Sequence, residues 1–581
     1  MEKLEKESSF FNNCNIGIGH TRWATHGAKT DINSHPHFSM NKKFVIVHNG
    51  IIENFREIKN MLQDKGYKFI TETDTEIIAN LLEYNYVSIS ADTMKPINEK
   101  DNENNIIEKS NLVDDIKKVI KLTVSQLNGT WGLAILFKET PDTLYVTRNG
   151  SPILIGKQES FVALSSEASG FSGKVKSYFC LENNDICIVE KNDKNITIKT
   201  EKNYKDNSIK NNTTKGNLTP EPYPHWTIKE IEEQSDSILR ALNLGGRLMT
   251  NNSVILGGLT EKKELLKQAK NIVLLGCGTS LNSAIFCCKS FKRLCNFNTV
   301  QVYDGAEFEH SDISKEGKTC FILVSQSGET KDLHRCINII NETDNIILGV
   351  VNVQDSLIAR ESHCGVYLNA GREVAVASTK AFTSQIVVLS LIAIWFSQIH
   401  NSYESFREEH IIAIRQLTTQ VKETIDMCKP ICEKLAKQLK DKPSMFILGK
   451  DKSYAIAREG SLKIKEITYI HAEGYPGSSL KHGPFGLLEK DFPVILMAPK
   501  DSTYAKMTNV YEEVKSRHAK VYFITDDKDC KYENKIVYPS NKHYNYLLSV
   551  IPLQLLAYYI SLEKGYNPDF PRNLAKVVTV E

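Results

Sequence analysis

Net charge is almost absent from this chain. Lys and Arg total 72 and Asp and Glu total 70, so 72 − 70 leaves +2 over 581 residues. That gives no global electrostatic attraction to nucleic acid or to an anionic membrane. Paired cysteine spacing is absent as well. The 13 cysteines are odd in number and scattered, Cys287 and Cys288 are adjacent, and no Cys-x-x-Cys occurs. Neither a zinc knuckle nor a disulfide framework is expected, and a reducing compartment fits. No apolar run reaches the roughly 20 residues of a membrane-spanning helix. The two most apolar, IVVLSLIAIWF (386–396) and LLSVIPLQLLAYYISL (547–562), are shorter, and the second contains Pro552 and Gln554. The opening MEKLEKESS is charged, unlike the apolar stretch of a secretory leader. A soluble, cytoplasmic protein is expected, with no nucleic-acid or membrane partner.

What is present is ordinary globular sequence, 41% hydrophobic and 24% charged, long enough for several domains. Residues 98–111, NEKDNENNIIEKSN, are polar and read as a loop insertion. Residues 201–225 end in three prolines and lack hydrophobic periodicity, as an interdomain linker would. Before it, FVIVHNG, TWGLAILF, TLYVTRNG, FVALSS and DICIVE predict strands, with one helix near 54–64, in an α+β domain on antiparallel sheet. After it, strands alternate with helices. NIVLLG, TCFILVS, NIILGVV and CGVYLN form one set, closed by a long apolar helix near 380–399. SMFILG, FPVILMA, KVYFITD and KIVYP form a second. This grammar predicts two successive parallel α/β units, a duplication. The expected division is 1–200, linker 201–225, 264–404, 435–572 and a tail 573–581.

Several clusters carry chemistry. The first α/β strand ends in Gly276-Cys277-Gly278-Thr279-Ser280, where small residues and a helix N-terminus suit a phosphate or a plain tight turn. The next ends in Ser325-Gln326-Ser327-Gly328-Glu329-Thr330. Two hydroxyl-rich loops at the carboxyl ends of neighbouring strands favour a sugar-phosphate ligand over simple helix capping. VASTKAF (376–382) adds a third hydroxyl cluster with Lys380. Glu459, Lys463 and Glu466 fall on one helix face, which could also be a solvated charged face. Lys481 and His482 sit in a turn fixed by Gly483-Pro484. In the first domain, GHTRWATHG (19–27) packs Arg22, Trp23, Thr25 and His26 together. Asn49-Gly50 at a strand end could build an oxyanion hole or a type I′ hairpin turn. Asp74 could hold an amino group or cap a helix.

Together GHTRWATHG, SHPHF, VHNGIIEN, ETDTE, GCGTS, SQSGET, ASTKAFTSQ, EGSLKIKEITYIHAEG, LKHGP, VIPLQLLAYY and FPRNLAKVVTVE resemble, in order from residue 17 to Glu581, the glutamine–fructose-6-phosphate aminotransferase family. The resemblance implies a type-2 glutamine amidotransferase domain of the N-terminal-nucleophile type, followed by two sugar-isomerase (SIS) domains with Rossmann-like parallel sheets. It implies fructose 6-phosphate and glutamine or ammonia as substrates, a homodimer or higher oligomer, and no metal or organic cofactor. It places Arg22, Thr25, His26 and Asp74 on glutamine, Asn49 and Gly50 in the oxyanion hole, and Trp23 at the gate of an ammonia channel. Cys277, Gly278, Thr279, Ser280, Ser325, Gln326, Ser327 and Thr330 would bind the sugar phosphate, with Val376 and Ser378 lining the site. Lys576 would form the Schiff base and Glu466 would move the proton between C1 and C2. Lys463 and Glu459 would support Glu466, and His482 would open the ring from a neighbouring subunit.

Three departures stand against the family pattern. Members begin with a mature N-terminal Cys. The given sequence begins Met1-Glu2, so an incomplete amidotransferase domain without its nucleophile is expected, and glutamine hydrolysis is not. Ser479 stands where the family usually has Glu, and Arg372 and Ala375 replace the usual residues before VASTKA. The last two are expected to alter packing only. Two other functions compete: an ammonia-dependent double-SIS isomerase or deaminase, and a non-catalytic sugar-phosphate sensor. Retention of Lys576 and Glu466, which only catalysis requires, favours the aminotransferase.

Overall fold

The structure, a computed structural model, describes all residues except 1–13, 22–27, 29, 94–103, 167, 172–173, 193–194, 205–206, 209–218, 355 and 577–581. It divides into two compact units, residues 1–217 with 579–581, and residues 218–578.

The first unit is built on antiparallel sheet. Its strands are β1 (His37–Phe38), β2 (Phe44–Ile52), β3 (Gly129–Phe137), β4 (Thr143–Asn149), β5 (Leu154–Lys157), β6 (Val162–Ser165), β7 (Ser177–Cys180), β8 (Ile186–Asn192), β9 (Asn195–Lys199) and β10 (Asn207–Ser208). One sheet has the order β1-β2-β3-β4-β8-β9 and the other β10-β7-β5-β6. Helices α1 (Phe55–Asp64), α2 (Asp74–Thr93) and α3 (Asn104–Ser125) complete the unit. Buried Ile77, Ile78, Leu81 and Leu82 of α2 and Ile116, Val119 and Ile120 of α3 share a core with Phe44, Ile46 and Leu133 of the larger sheet.

Two sequence expectations change here. Residues 104–111, expected in a loop, are the opening turns of α3. Val113, Ile116, Val119 and Ile120 recur at helical spacing and are buried, and that stripe carries its polar first turns into the helix. Asn49-Gly50 ends no strand and makes no hairpin turn. Both lie within β2, opposite Gly132 and Trp131 of β3. Gly50 has φ +148°, and a Cβ there would meet the Thr130 carbonyl oxygen at 2.1 Å, so glycine is required by a close backbone approach. Parts of the expected linker are also engaged. Glu201 pairs with Lys117 and Lys121, and Tyr204 stacks on Phe179.

The second unit holds two parallel five-stranded sheets. The first contains β11 (Asn271–Gly276), β12 (Thr299–Asp304), β13 (Thr319–Ser325), β14 (Ile346–Val351) and β15 (Cys364–Tyr367), in the order β12-β11-β13-β14-β15. The second contains β16 (Ser444–Gly449), β17 (His471–Pro476), β18 (Pro493–Met497), β19 (Lys520–Thr525) and β20 (Lys535–Val537), in the order β17-β16-β18-β19-β20. The same permutation in both is the duplication read from strand grammar. Helices α4 (Trp226–Glu232) and α5 (Gln234–Ala241) lead into the unit. Within it run α6 (Thr279–Leu294), α7 (Lys331–Asn341), α8 (Lys380–Ile399), α9 (Glu404–Leu439), α10 (Lys452–Thr468), α11 (Tyr504–Lys515) and α12 (Val550–Glu563).

The central strands are continuous apolar runs because helices cover both faces of each sheet. Two apolar helical stretches, 380–399 and 545–563, are long enough to cross a membrane, but 89% and 83% of their most apolar windows are buried inside the fold. They are core helices: Phe382, Ile386, Leu389 and Trp395 of α8 and Leu553, Leu556 and Ile560 of α12 belong to one cluster joining both sheets.

Candidate active site

The site grows from the carboxyl edge of the first parallel sheet. β11 ends at Gly276, and α6 begins one tight turn later at Thr279. A Cβ on Gly276 would lie 2.8 Å from Ser280 backbone, so the turn closes only around glycine. Gly278, the N-cap, sits at φ +54° and ψ −123°, which glycine adopts without strain. This leaves Thr279 and Ser280 on the first turn of α6. The Ser280 hydroxyl accepts from Gln385 Nε2 at 2.9 Å. Cys277, half-buried, has its thiol pushed up by burial and then by Asp332 and Asp304, so it is no thiolate nucleophile.

The second hydroxyl loop follows β13. Ser325 and Thr330 share a hydroxyl–hydroxyl bond of 2.9 Å, Gly328 N–H donates to Ser325 Oγ, and Glu329 N–H donates to Ser327 Oγ. Gln326 lies between them, its carbonyl accepting from Asn352 N–H. Thr330 is the N-cap of α7 but makes no capping bond with its side chain.

Helix α10 of the other sheet brings charge to this edge. Glu459 Oε1 accepts from the Thr279 hydroxyl at 3.1 Å, and its Oε2 accepts from Asn282 Nδ2 at 2.8 Å. Lys463 Nζ donates to Thr279 Oγ1 at 3.1 Å and lies 2.6 Å from Glu466 and 3.5 Å from Glu459. The three are not a solvated face: Glu459 and Lys463 are buried, and Glu466 keeps 19% side-chain exposure. Burial pushes Glu459 up. Burial also opposes the Lys463 charge, but the Glu466 and Glu459 carboxylates outweigh it and hold the ammonium above its ordinary value. Glu466 is the more accessible carboxylate, fixed by a lysine one turn away.

A third cluster forms around the chain's end. Lys576 Nζ donates to Glu373 Oε2 at 2.6 Å and to Ser378 Oγ at 3.1 Å. Val376 N–H donates to the Asp569 carbonyl. Glu373 is fully buried, and burial would raise its carboxyl, but the Lys576 ammonium overrides that and holds it below the ordinary carboxylate range. Glu373 is also among the charges acting on Lys463, which ties the two clusters together. Lys380 is buried against Glu233 at 2.7 Å.

Glu230 of α4 backs the same turn, accepting from Val374 and Ala375 N–H on Oε1, while its buried Oε2 receives no hydrogen bond. Burial, then the Glu373 charge, pushes its carboxyl up to about 8. A proton held in the folded state but lost from the unfolded chain near pH 4 contributes stability that is fully present below that pH and is lost as pH rises towards about 8. Glu230→Gln, which mimics the neutral carboxyl, is therefore expected to melt progressively higher than wild type between pH 5 and 9. Melting curves across that range check it, and a constant difference would show that Glu230 does not titrate there.

The equivalent edge of the second sheet is chemically different. Asp451 occupies φ +56° and ψ −122°, the same backbone turn as Gly278, a strained place for a side chain. Its carboxylate pairs with Lys289 and Arg293 of α6, each at 3.3 Å. Asp501 stands after β18 and accepts from Thr503 and Tyr546. Carboxylates there oppose a phosphate, whereas hydroxyls and a helix N-terminus line the edge of the first sheet.

Of the remaining expected residues, His482 lies exposed at the end of a 3-10 turn, apart from these clusters' hydrogen bonds. In the first unit, Asp74 opens α2 and is buried, with Oδ2 accepting from Ile52 N–H at 3.0 Å. It thereby fixes the end of the strand carrying Asn49 and Gly50. Arg22, Trp23, Thr25 and His26 lie outside the described residues. Asn282, Gln385, Glu373 and Glu230 are contacts that motif reading missed.

Fold and site define a two-part protein: an antiparallel α+β unit and a double parallel-sheet unit whose hydroxyl loops meet a carboxylate–lysine cluster. Comparison with known proteins gives the family. The glutamine amidotransferase domain pattern matches residues 5–93, and the SIS domain pattern matches residues 265–395 and 438–564. A mimivirus protein (Acanthamoeba polyphaga mimivirus) named probable glutamine–fructose-6-phosphate aminotransferase (isomerizing) is 40% identical over 98% of this chain and 89% of its own length. The glutamine–fructose-6-phosphate aminotransferase (isomerizing) of Bacteroides thetaiotaomicron is 33% identical over 97% of this chain and 89% of its own. The solved C-terminal domain of glucosamine-fructose-6-phosphate aminotransferase from Francisella tularensis superimposes with a TM-score of 0.57 at 28% identity, covering 61% of this chain and all of that one. The chain belongs to the glutamine–fructose-6-phosphate aminotransferase (isomerizing) family.

Proposed function

We propose that this chain makes glucosamine 6-phosphate from fructose 6-phosphate with nitrogen from glutamine or ammonia, the first step towards nucleotide-linked N-acetylglucosamine. The observation that carries it is the junction at Thr279, where a hydroxyl loop of one sheet meets Glu459 and Lys463 of the other. Thr279, Ser280, Ser325, Gln326, Ser327 and Thr330 take the phosphate and sugar hydroxyls, with the backbone of Cys277 and Gly278 at the helix N-terminus and Val376 and Ser378 alongside. Lys576 forms an imine at C2 of the open-chain ketose, and ammonia then adds to that carbon and displaces the lysine amine, leaving the sugar's own C2 imine. The imine withdraws electrons and acidifies the C1 proton, so a carboxylate can move it to C2. Glu466 does so, with Lys463 fixing its charge and Glu459 fixing Lys463. Arg22, Thr25, His26 and Asp74 hold glutamine, Asn49 and Gly50 form the oxyanion hole, and Trp23 gates the ammonia channel. None of these steps requires a metal or an organic cofactor.

The exposed place of His482 supports ring opening in a neighbouring copy of the chain, hence a homodimer or larger oligomer working in the cytoplasm. The direct test incubates the full chain with fructose 6-phosphate and either glutamine or ammonium chloride and assays glucosamine 6-phosphate. Release of glucose 6-phosphate alone from both mixtures would reduce the protein to an isomerase.

Thr330→Ala is expected to weaken fructose 6-phosphate binding by about 1.5–3 kcal/mol, the value of a hydrogen bond to a charged oxygen, and to leave fructose binding almost unchanged. Thr330 makes no capping bond with its side chain and its hydroxyl is bonded to the Ser325 hydroxyl, so stability should fall by no more than one neutral hydrogen bond, about 1 kcal/mol. Calorimetric titration with both sugars checks the claim, and equal losses for the two would assign the hydroxyl to loop structure.

A further inference from the structure

Lys576 is not held by the hydroxyl loops but by Glu373, and Glu373 is itself held on both oxygens. Oε2 accepts from Lys576 Nζ at 2.6 Å, and Oε1 accepts from Thr379 N–H and Ala381 N–H, each at 3.0 Å. Those amides open α8, a 20-residue helix, so the carboxylate rests on a helix N-terminus that favours its charge. A buried ion pair is a poor device for stability, because desolvating both charges offsets their attraction. Here it fixes one reactive amine, Ser378 Oγ supplying the second acceptor at 3.1 Å.

We propose that Glu373 is the positioning residue of Lys576: it fixes Nζ beside Ser378, in place to attack once the ammonium has shed a proton. The inference rests on the Schiff-base reading of Lys576. Nζ loses one proton to solvent. The amine's lone pair forms the N–C2 bond while the C2=O π pair moves onto oxygen. One proton then moves from nitrogen to that oxygen, which takes a second proton from solvent. The C–O bond breaks and water leaves. The iminium keeps one Nζ proton, and Glu373, a carboxylate throughout, again faces a positive nitrogen.

Three other charged groups act on this pair: Glu230 from α4, Lys380 from α8 and Lys463 from α10. Lys380 is engaged with Glu233 and Lys463 with Glu459 and Glu466. Glu230, with its carboxyl raised to about 8, is uncharged near neutrality. Glu373 is thereby left as the carboxylate facing Nζ.

The experiment uses the full chain with fructose 6-phosphate, ammonium chloride and borohydride. Glu373→Gln keeps an oxygen for the α8 amides but loses the charge that holds Nζ. It is expected to slow product formation and borohydride trapping by about 10²-fold, the usual cost of a misplaced reacting group, with KM for fructose 6-phosphate nearly unchanged. Trapping at the wild-type rate would show that Glu373 only caps α8 and would overturn the proposal. If Glu373→Gln loses cooperative unfolding, Glu373→Asp decides. This shorter carboxylate should slow trapping at least tenfold with KM nearly unchanged, and undiminished trapping rejects the positioning role. A wild type that traps no sugar at Lys576 would instead reject the Schiff-base reading, so the two failures are distinguishable.

Discussion

Lys576→Arg is expected to abolish conversion of fructose 6-phosphate to glucosamine 6-phosphate while binding of the sugar phosphate stays within a few-fold of wild type. The replacement preserves what Lys576 does for the fold. A guanidinium retains the positive charge and can present two donors to the Glu373 carboxylate, so the buried charge at Glu373 keeps a partner. What it removes is chemistry, because arginine stays protonated and cannot condense with a ketone. The hydroxyl groups proposed to hold the phosphate lie on the loops after β11 and β13, not on the tail. Borohydride reduction with fructose 6-phosphate should add the sugar's mass to the wild-type chain and nothing to the variant. A variant labelled as fully as wild type would place the imine on another lysine, Lys463 and Lys380 being buried lysines of the neighbouring clusters.

The parallel strands were legible because helices cover both their faces, and such strands announce themselves as unbroken apolar runs. The two that sequence reading missed are β12 and β17, which hold the same edge position in their sheets. TVQVYD alternates exposed and buried residues at its start, and HAEGYP buries only Ala472 fully. An edge strand with one solvated face loses the continuous signal. In the first unit α2 escaped notice because Asp74 through Leu82 is buried without interruption, leaving no polar face to mark a helical period. The site divides similarly. Hydroxyl loops and the Glu459, Lys463 and Glu466 spacing are local patterns. Their meeting is not: Thr279 and Glu459 are 180 residues apart, and Glu373 and Lys576 are 203 apart. A single glutamate in a polar turn carries no local mark of the charge it will face.

Lys463→Met is expected to be among the most destabilising single changes available in the second unit, by about 3–5 kcal/mol, because it strands a buried carboxylate. Methionine fills nearly the same volume, so the loss is one of charge and hydrogen bonds, not of packing. Glu459 has no exposed side-chain surface, and its remaining partners, the Thr279 hydroxyl and Asn282 amide, are neutral donors. Glu466 loses a contact of 2.6 Å, and its carboxylate is freed to leave the position from which it would work on C1. Activity should therefore fall along with stability. Adding Glu459→Gln removes the stranded charge while keeping an oxygen for one donor. The double variant should recover a substantial part of the stability, a coupling of the size expected for residues in one network. It should not recover isomerisation, since Glu466 still lacks its lysine. Chemical denaturation followed by a probe in the second unit, with product assays on the same samples, separates the two effects. A Lys463→Met protein that unfolds at the wild-type midpoint would show that Glu459 carries no charge in the folded state. Recovery of activity by Glu459→Gln would show that Lys463 serves only to neutralise Glu459, and the role of fixing Glu466 would fall.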